Sequence, residues 1–193
     1  MNVNDTSSPL ALLETRRSAR PRDLIEPGPS AEQLERILTI AARVPDHAQL
    51  VPFRFVLVAP DQREALSDLY GAALARSEPD APDVKVAKAT ANARAAPVLI
   101  VLISRPVPGH KVPLFEQELT CGAAGMNLLH AATALGFAGG WITGWPAYDP
   151  TVAAAFCEAG ERIAGFVYLG TPASPLDERP RPNLDHIVSV WKQ

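Results

Sequence analysis

Residues Pro97 to Ser104 read PVLIVLIS, and from Val98 to Ile103 every position is aliphatic. A strand with one wet face alternates apolar and polar residues, so this run must be covered on both faces and predicts the centre of a sheet clad by helices. The other segments have to supply the flanking strands and that cladding.

Phe53 to Ala59 (FRFVLVA) and Ile163 to Thr171 (IAGFVYLGT) carry the β-branched and aromatic content of further strands. Between the first of these and the aliphatic run, Asp61–Arg76 and Asp83–Ala95 read as two helices. Ser8 and Pro9 suit the N-cap and first position of an earlier helix bearing Leu10, Leu12 and Leu13 and ending around Arg17. Ser30 with Gln33 forms a capping-box signature, followed by Leu34, Ile37, Leu38 and Ala41 at helical spacing and closed by Pro45. The longest helical pattern runs from about Leu114 to Leu135 and is nearly free of charge after Glu118. Its small residues Gly122, Ala123, Gly125 and Ala132 permit a close helix crossing, inside the fold or across a dimer axis. Gly136 ends it, Phe137–Trp145 reads as a glycine-rich turn into a short strand, and Asp149 caps a helix to about Cys157. After Pro172 comes a Pro-rich tail that ends in a β-like run, Ile187–Trp191, suited to reaching a second subunit. The order α, α, β, α, α, β, α, β, α, β in 193 residues predicts a single α+β domain over residues 1–193.

The chain is acidic, with a net charge of −3, yet Arg16, Arg17, Arg20 and Arg22 fall close together after the first helix. An acidic chain lacks the basic field of proteins that coat nucleic acid or anionic membranes, so neither is expected as a partner. The local cluster instead predicts a local anion, because guanidinium forks bind phosphate bidentately and Ser18 adds a hydroxyl donor. The alternative is a helix end whose cations complement the C-terminal dipole. No apolar run is long enough to span a bilayer and no signal peptide is evident, so a cytoplasmic location is expected. Cys121 and Cys157 are far apart, and the four histidines lack metal-ligand spacing, so neither a disulfide framework nor a metal site is expected.

Four segments resemble the FMN-dependent nitroreductase family in order and spacing: Arg16-Arg17-Ser18-Ala19-Arg20, Val44 to Phe53, Glu118 to Trp141, and Gly165 to Pro172. The Pro45-Asp46-His47 form of the second segment resembles the small bacterial NAD(P)H nitroreductases of that family. The resemblance implies a nitroreductase-like fold with a mixed, mostly antiparallel central sheet and a C-terminal extension reaching the partner subunit. It implies a homodimer with FMN at the interface, NAD(P)H as electron donor, and a ping-pong cycle reducing nitroaromatic or quinone-like acceptors.

By the same resemblance, Arg16, Arg17 and Ser18 would hold the FMN phosphate and ribityl end, with Arg20 and Arg181 as helpers. His47 would meet the flavin of the opposite subunit, with Gln49 and Val51 in the same loop. Trp141, Ile142 and Thr143 would lie against the isoalloxazine. Where the broader family reads Ser-x-x-Asn-x-Gln-Pro-Trp, this chain has Asp46, Gln49, Val51 and Phe53, and Val51 cannot offer the side-chain amide of Gln. No protein group is assigned as a catalytic acid, since the flavin carries the chemistry. Two other readings remain open: a flavin-binding carrier or regulatory protein with little turnover, and a dimeric phosphate-ligand binder without flavin.

Overall fold

A computed structural model describes residues 2–192. The aliphatic run forms β3 (Val98–Ser104), antiparallel to β2 (Phe53–Leu57) on one side and to β5 (Arg162–Pro172) on the other. On its far edge, β5 pairs first with β4 (Ala138–Ile142) and then, at its end, with β1 (Leu24–Ile25). All of these pairings are antiparallel. β1 was not anticipated, because two residues are too short to show any periodicity.

The two faces of β3 go to two different cores, as period-two geometry requires. Leu99, Val101 and Ile103 pack with Tyr70, Ala93, Val152 and Phe166, beneath α3 (Arg63–Ser77), α4 (Asp83–Arg94) and α6 (Pro150–Phe156). Ile100 packs with Ile37, Leu128 and Val167, beneath α2 (Ala31–Ala41) and α5 (Leu114–Ala134). Leu102 joins Phe53, Cys121 and Ala124 on that same side.

The predicted caps are formed. Ser8 Oγ accepts from the Ala11 amide at 3.0 Å to start α1 (Pro9–Thr15), and Ser30 and Gln33 close a reciprocal capping box at the head of α2. The Asp149 carboxylate accepts from the amides of Thr151 and Val152 at 2.8 and 3.0 Å.

Two expectations change. The glycines of Phe137–Trp145 lie inside a strand, not before one: Gly139 and Gly140 pair with Leu169 and Tyr168. Ile187–Trp191 forms no strand among the described residues; past a short turn at Leu184–His186, Ile187, Val188, Val190 and Trp191 are exposed. A β-prone run needs a ladder partner, and its own chain offers it none.

One buried cation, Arg63 at the head of α3, ties α3 and the end of α4 to the sheet. Arg63 donates from Nε to the Val58 carbonyl at 3.0 Å, from Nη1 to those of Ala93 and Ala95 at 3.1 and 3.2 Å, and from Nη2 to Pro97 at 3.4 Å. Arg63→Met would orphan buried carbonyls and is expected to destabilise the fold by about 2–4 kcal/mol in urea denaturation. A second tie is acid-sensitive. The Arg54 fork grips Glu161, at 2.8 Å from Nε and 2.6 Å from Nη2, and chiefly through those bonds holds the Glu161 carboxyl down at about 2. A depressed carboxyl stabilises the fold above its ordinary pKa and loses that contribution as pH falls toward the folded value. Glu161→Gln should therefore flatten the melting temperature against pH between about 4.5 and 2.

Candidate functional site

The arginine cluster begins where α1 stops. Arg16 is the C-cap with φ −58° and ψ 128°, and α1 has no basic residue in its last turn. The cluster is therefore not a dipole-complementing helix end; it lies on an extended strip beyond the helix. That strip docks on the sheet: the Ala19 amide donates to the Gly139 carbonyl of β4 at 3.0 Å. A Cβ at Gly140 would collide with the Ala19 carbonyl oxygen, so only glycine lets the strip lie this close.

Docking buries Ala19 and Arg17, half-buries Arg16 and Ser18, and leaves Arg20 exposed. Arg16 Nη1 reaches Ser18 Oγ at 3.4 Å. Burial, and then the like charges of Arg17 and Arg181, lower the Arg16 pKa. Arg17 Nε donates to the Asp177 carbonyl at 3.2 Å and pairs with Glu178 at 3.3 Å, while Arg181 binds Glu178 at 2.8 Å. The segment after β5 thus folds back over the strip. Between them lies a cleft of about 290 Å³ lined by Arg17, Ser18, Arg20, Asp23, Ser174 and Arg179, among others. Arg22 points elsewhere, exposed and 3.7 Å from Asp23.

Further along β4, roughly 7 Å from Gly139 at strand spacing, Trp141 turns inward. Its Nε1 donates to the Ala164 carbonyl at 3.1 Å, and the ring lies against Gly125 of α5, where a Cβ would sit 2.6 Å from it. Only the Trp141 backbone is thereby left for a ligand. Ile142 and Thr143 instead line a cleft of about 270 Å³ under α4, with Tyr70, Trp145 and Tyr168 as aromatic walls and Lys85, Lys88 and Asn92 beside them. Lys85 pairs with Glu78, and the buried Tyr70 hydroxyl has no hydrogen-bond partner among the described residues. Motif reading did not reach Lys85, Lys88 or Tyr70, because their helices meet β4 only in the folded chain.

His47, Gln49 and Val51 occupy a tightly held loop. Ala48, Gln49 and Val51 have φ of 65°, 54° and 48°, a left-handed conformation that costs non-glycine residues energy. Asp46 holds it, accepting from the Leu50 amide at 3.2 Å and the Val51 amide at 2.7 Å. The Asp-for-Ser departure from the family motif thus has a structural use that spacing alone did not reveal. Val51 is exposed, and the exposed His47 meets Glu116 of α5 at 2.9 Å.

The loop and the arginine strip lie toward opposite ends of α5. His47 is at Glu116, whereas Arg16 is near enough to His130 to lower its pKa, second to burial. Fourteen residues of helix separate those positions by about 21 Å. Arg16, Arg17, Ser18, Arg20 and Arg181 are brought together; His47, Gln49 and Val51 are not brought to them within one chain.

Fold and site define an antiparallel α+β protein with a cationic strip docked on a glycine-bearing strand. The chain belongs to the nitroreductase family, whose sequence model ("Nitroreductase family") matches residues 13–171. It is 40% identical over 166 residues to the Escherichia coli strain K12 protein named "Putative NAD(P)H nitroreductase YdjA", spanning 84% of this chain and 87% of that one. Among solved structures, a nitroreductase-like family protein from Bacillus cereus superposes with a TM-score of 0.84 at 19% identity, covering 97% of each chain. A nitroreductase with bound FMN from Bacteroides fragilis NCTC 9343 superposes at 0.70 with 22% identity, covering 95% of this chain and 98% of that one. These matches place the chain among oxidoreductases. No helix among the described residues is long and apolar enough to cross a membrane.

Asp46→Ala would remove the two bonds that shape the loop. Amide exchange at Leu50 and Val51 should rise about tenfold or more in hydrogen–deuterium exchange, while global stability falls by only about 1 kcal/mol.

Proposed function

We propose that this protein is an FMN-dependent NAD(P)H oxidoreductase, working as a homodimer in the cytoplasm on nitroaromatic or quinone-like acceptors. The observation that carries the reading is the docked strip, where half-buried Arg16 meets the like charges of Arg17 and Arg181 beside the strand that Gly140 leaves open to close approach. Such a donor set fits a phosphate dianion, which accepts several charge-assisted bonds at once. Arg16, Arg17 and Ser18 would hold the phosphate, with Arg20 and Arg181 completing the shell. The Trp141 backbone, Ile142 and Thr143 would take the ring end, and Lys88 and the unpartnered Tyr70 hydroxyl supply donors to that neighbourhood.

FMN, when bound, supplies hydride chemistry: reducing equivalents from NAD(P)H pass to the acceptor in a ping-pong cycle. This chain's residues position the ring, neutralise the phosphate and keep water from the buried side. The FMN-bound Bacteroides fragilis relative and the NAD(P)H name of the Escherichia coli relative support the cofactor and donor.

The separation along α5 supports a dimer. If His47, Gln49 and Val51 touch the same flavin as the arginine strip, they must come from the other chain. The outer face of α5 suits such a contact: Phe115 and Leu119 are exposed, with Gly122, Ala123 and Met126 along the same stripe, and Leu10 and Leu13 of α1 are exposed as well. The exposed Ile187–Trp191 run would find its ladder on the partner.

Purified protein should be yellow, release FMN on denaturation as judged by chromatography, and consume NAD(P)H when a quinone or nitrofuran is present. A colourless protein that takes up no added FMN would overturn the reading, and a yellow one that leaves NAD(P)H untouched would be a carrier instead. Arg17→Ala should weaken FMN binding by about tenfold or more, whereas the exposed Arg22→Ala should change it less than about twofold. Phe115→Glu should shift the protein from dimer to monomer in sedimentation velocity and release FMN with it.

A further inference from the structure

We propose that Glu178 is an internal anion that occupies the phosphate subsite and must leave it when a phosphate binds. The inference rests on the flavin reading of that subsite. A single carboxylate oxygen, Glu178 Oε1, lies 3.3 Å from Arg17 Nε and 2.8 Å from Arg181 Nη2, and accepts from the Arg179 amide at 2.8 Å. It bridges two arginines as a phosphate oxygen would, and Arg17, its side chain almost wholly buried, pairs with it by charge while Nε donates to the Asp177 carbonyl.

A carboxylate and a phosphate dianion cannot share these donors. Both draw on the positive charge of Arg17 and Arg181, and like charges at that range repel strongly where one partner is buried. Arg16 and Ser18 stand outside the Glu178 contacts and are bonded to each other, so an incoming phosphate has a first foothold before Glu178 is displaced. The carboxylate can leave readily. Its side chain is half exposed, and it sits on an arm whose backbone is stiffened by Pro175 and Pro180, so withdrawal needs a swing of the side chain and little rearrangement of the chain.

The device has two consequences. Without ligand, Glu178 keeps Arg17 and Arg181 from repelling each other, and so preserves the geometry of the site. With ligand, it sets a threshold: only a group more strongly anionic than a carboxylate displaces it, which favours phosphorylated FMN over unphosphorylated riboflavin.

Glu178→Gln keeps the size and the acceptor oxygen and removes the charge. Apoprotein of the wild type and of this variant would be titrated with FMN and with riboflavin at fixed ionic strength, read by flavin fluorescence, with thermal melting as a control for folding. The expected result is an FMN Kd about three- to tenfold lower in the variant, the scale of a partly exposed ion pair, with riboflavin affinity unchanged. An FMN Kd that is equal or higher in the variant would show Glu178 to be a scaffold and overturn the proposal, as would riboflavin tightening in step with FMN. Wild-type apoprotein that binds neither flavin would defeat the flavin reading itself, and this assignment with it.

Discussion

The hydrogen bond from the Ala19 amide to the Gly139 carbonyl is short in span and wide in consequence. It converts the chain that leaves α1 into an added rung on the edge of β4, and it does so beside a residue with no side chain to prevent it. Everything cationic in the site hangs on that rung. Arg17 is buried and Arg16 half-buried because the strip between them and Arg20 is clamped, and the arm after β5 then has a fixed surface to fold onto. A β4 with an ordinary side chain at position 140 would push the strip outward, and the arginines would become solvated surface charge of little consequence.

How far the sequence carried the argument differs between the scaffold and the site. The aliphatic run from Val98 to Ile103 demanded burial on both faces, and the caps at Ser8, Ser30 and Asp149 were visible because capping chemistry is local. β1 and the inclusion of Gly139 and Gly140 within β4 were not visible, because both depend on pairing with β5, a partner distant in sequence. Arg16, Arg17 and Ser18 could be singled out from composition against an acidic background, but the contact of Arg17 with Glu178, which also holds Arg181, joins residues some 160 positions apart and leaves no local trace. Asp46 shows the intermediate case: the residue stood out as a departure from a motif, while its use in holding left-handed backbone at Gln49 and Val51 needed coordinates.

The charge balance of the whole chain and that of the site point in opposite directions, and both matter. A net charge of −3 keeps nonspecific polyanions away, since long-range attraction follows the overall field. Within a Debye length the strip dominates, and there Arg16, lowered in pKa first by burial, also feels the like charges of Arg17 and Arg181. Glu178 is the carboxylate that offsets Arg17 and Arg181.

The length of α5 then decides what a single chain can do. His47 sits at its start and the arginine strip toward its end, about 21 Å apart by helical rise. A planar cofactor lying along β4 from the strip would reach the cleft under α4 that Ile142 and Thr143 line, on the face of the sheet opposite α5, where His47 meets Glu116. If the strained loop at Asp46–Val51 serves the same ligand, symmetry has to bring it from a second copy, and α5 with its exposed Phe115 and Leu119 is the surface on which two copies would meet. Under that arrangement ligand binding and association become linked: a ligand held by both chains stabilises the dimer by mass action, and the dimer in turn adds to the loop contacts that the lone chain makes through Asp46 and Arg105.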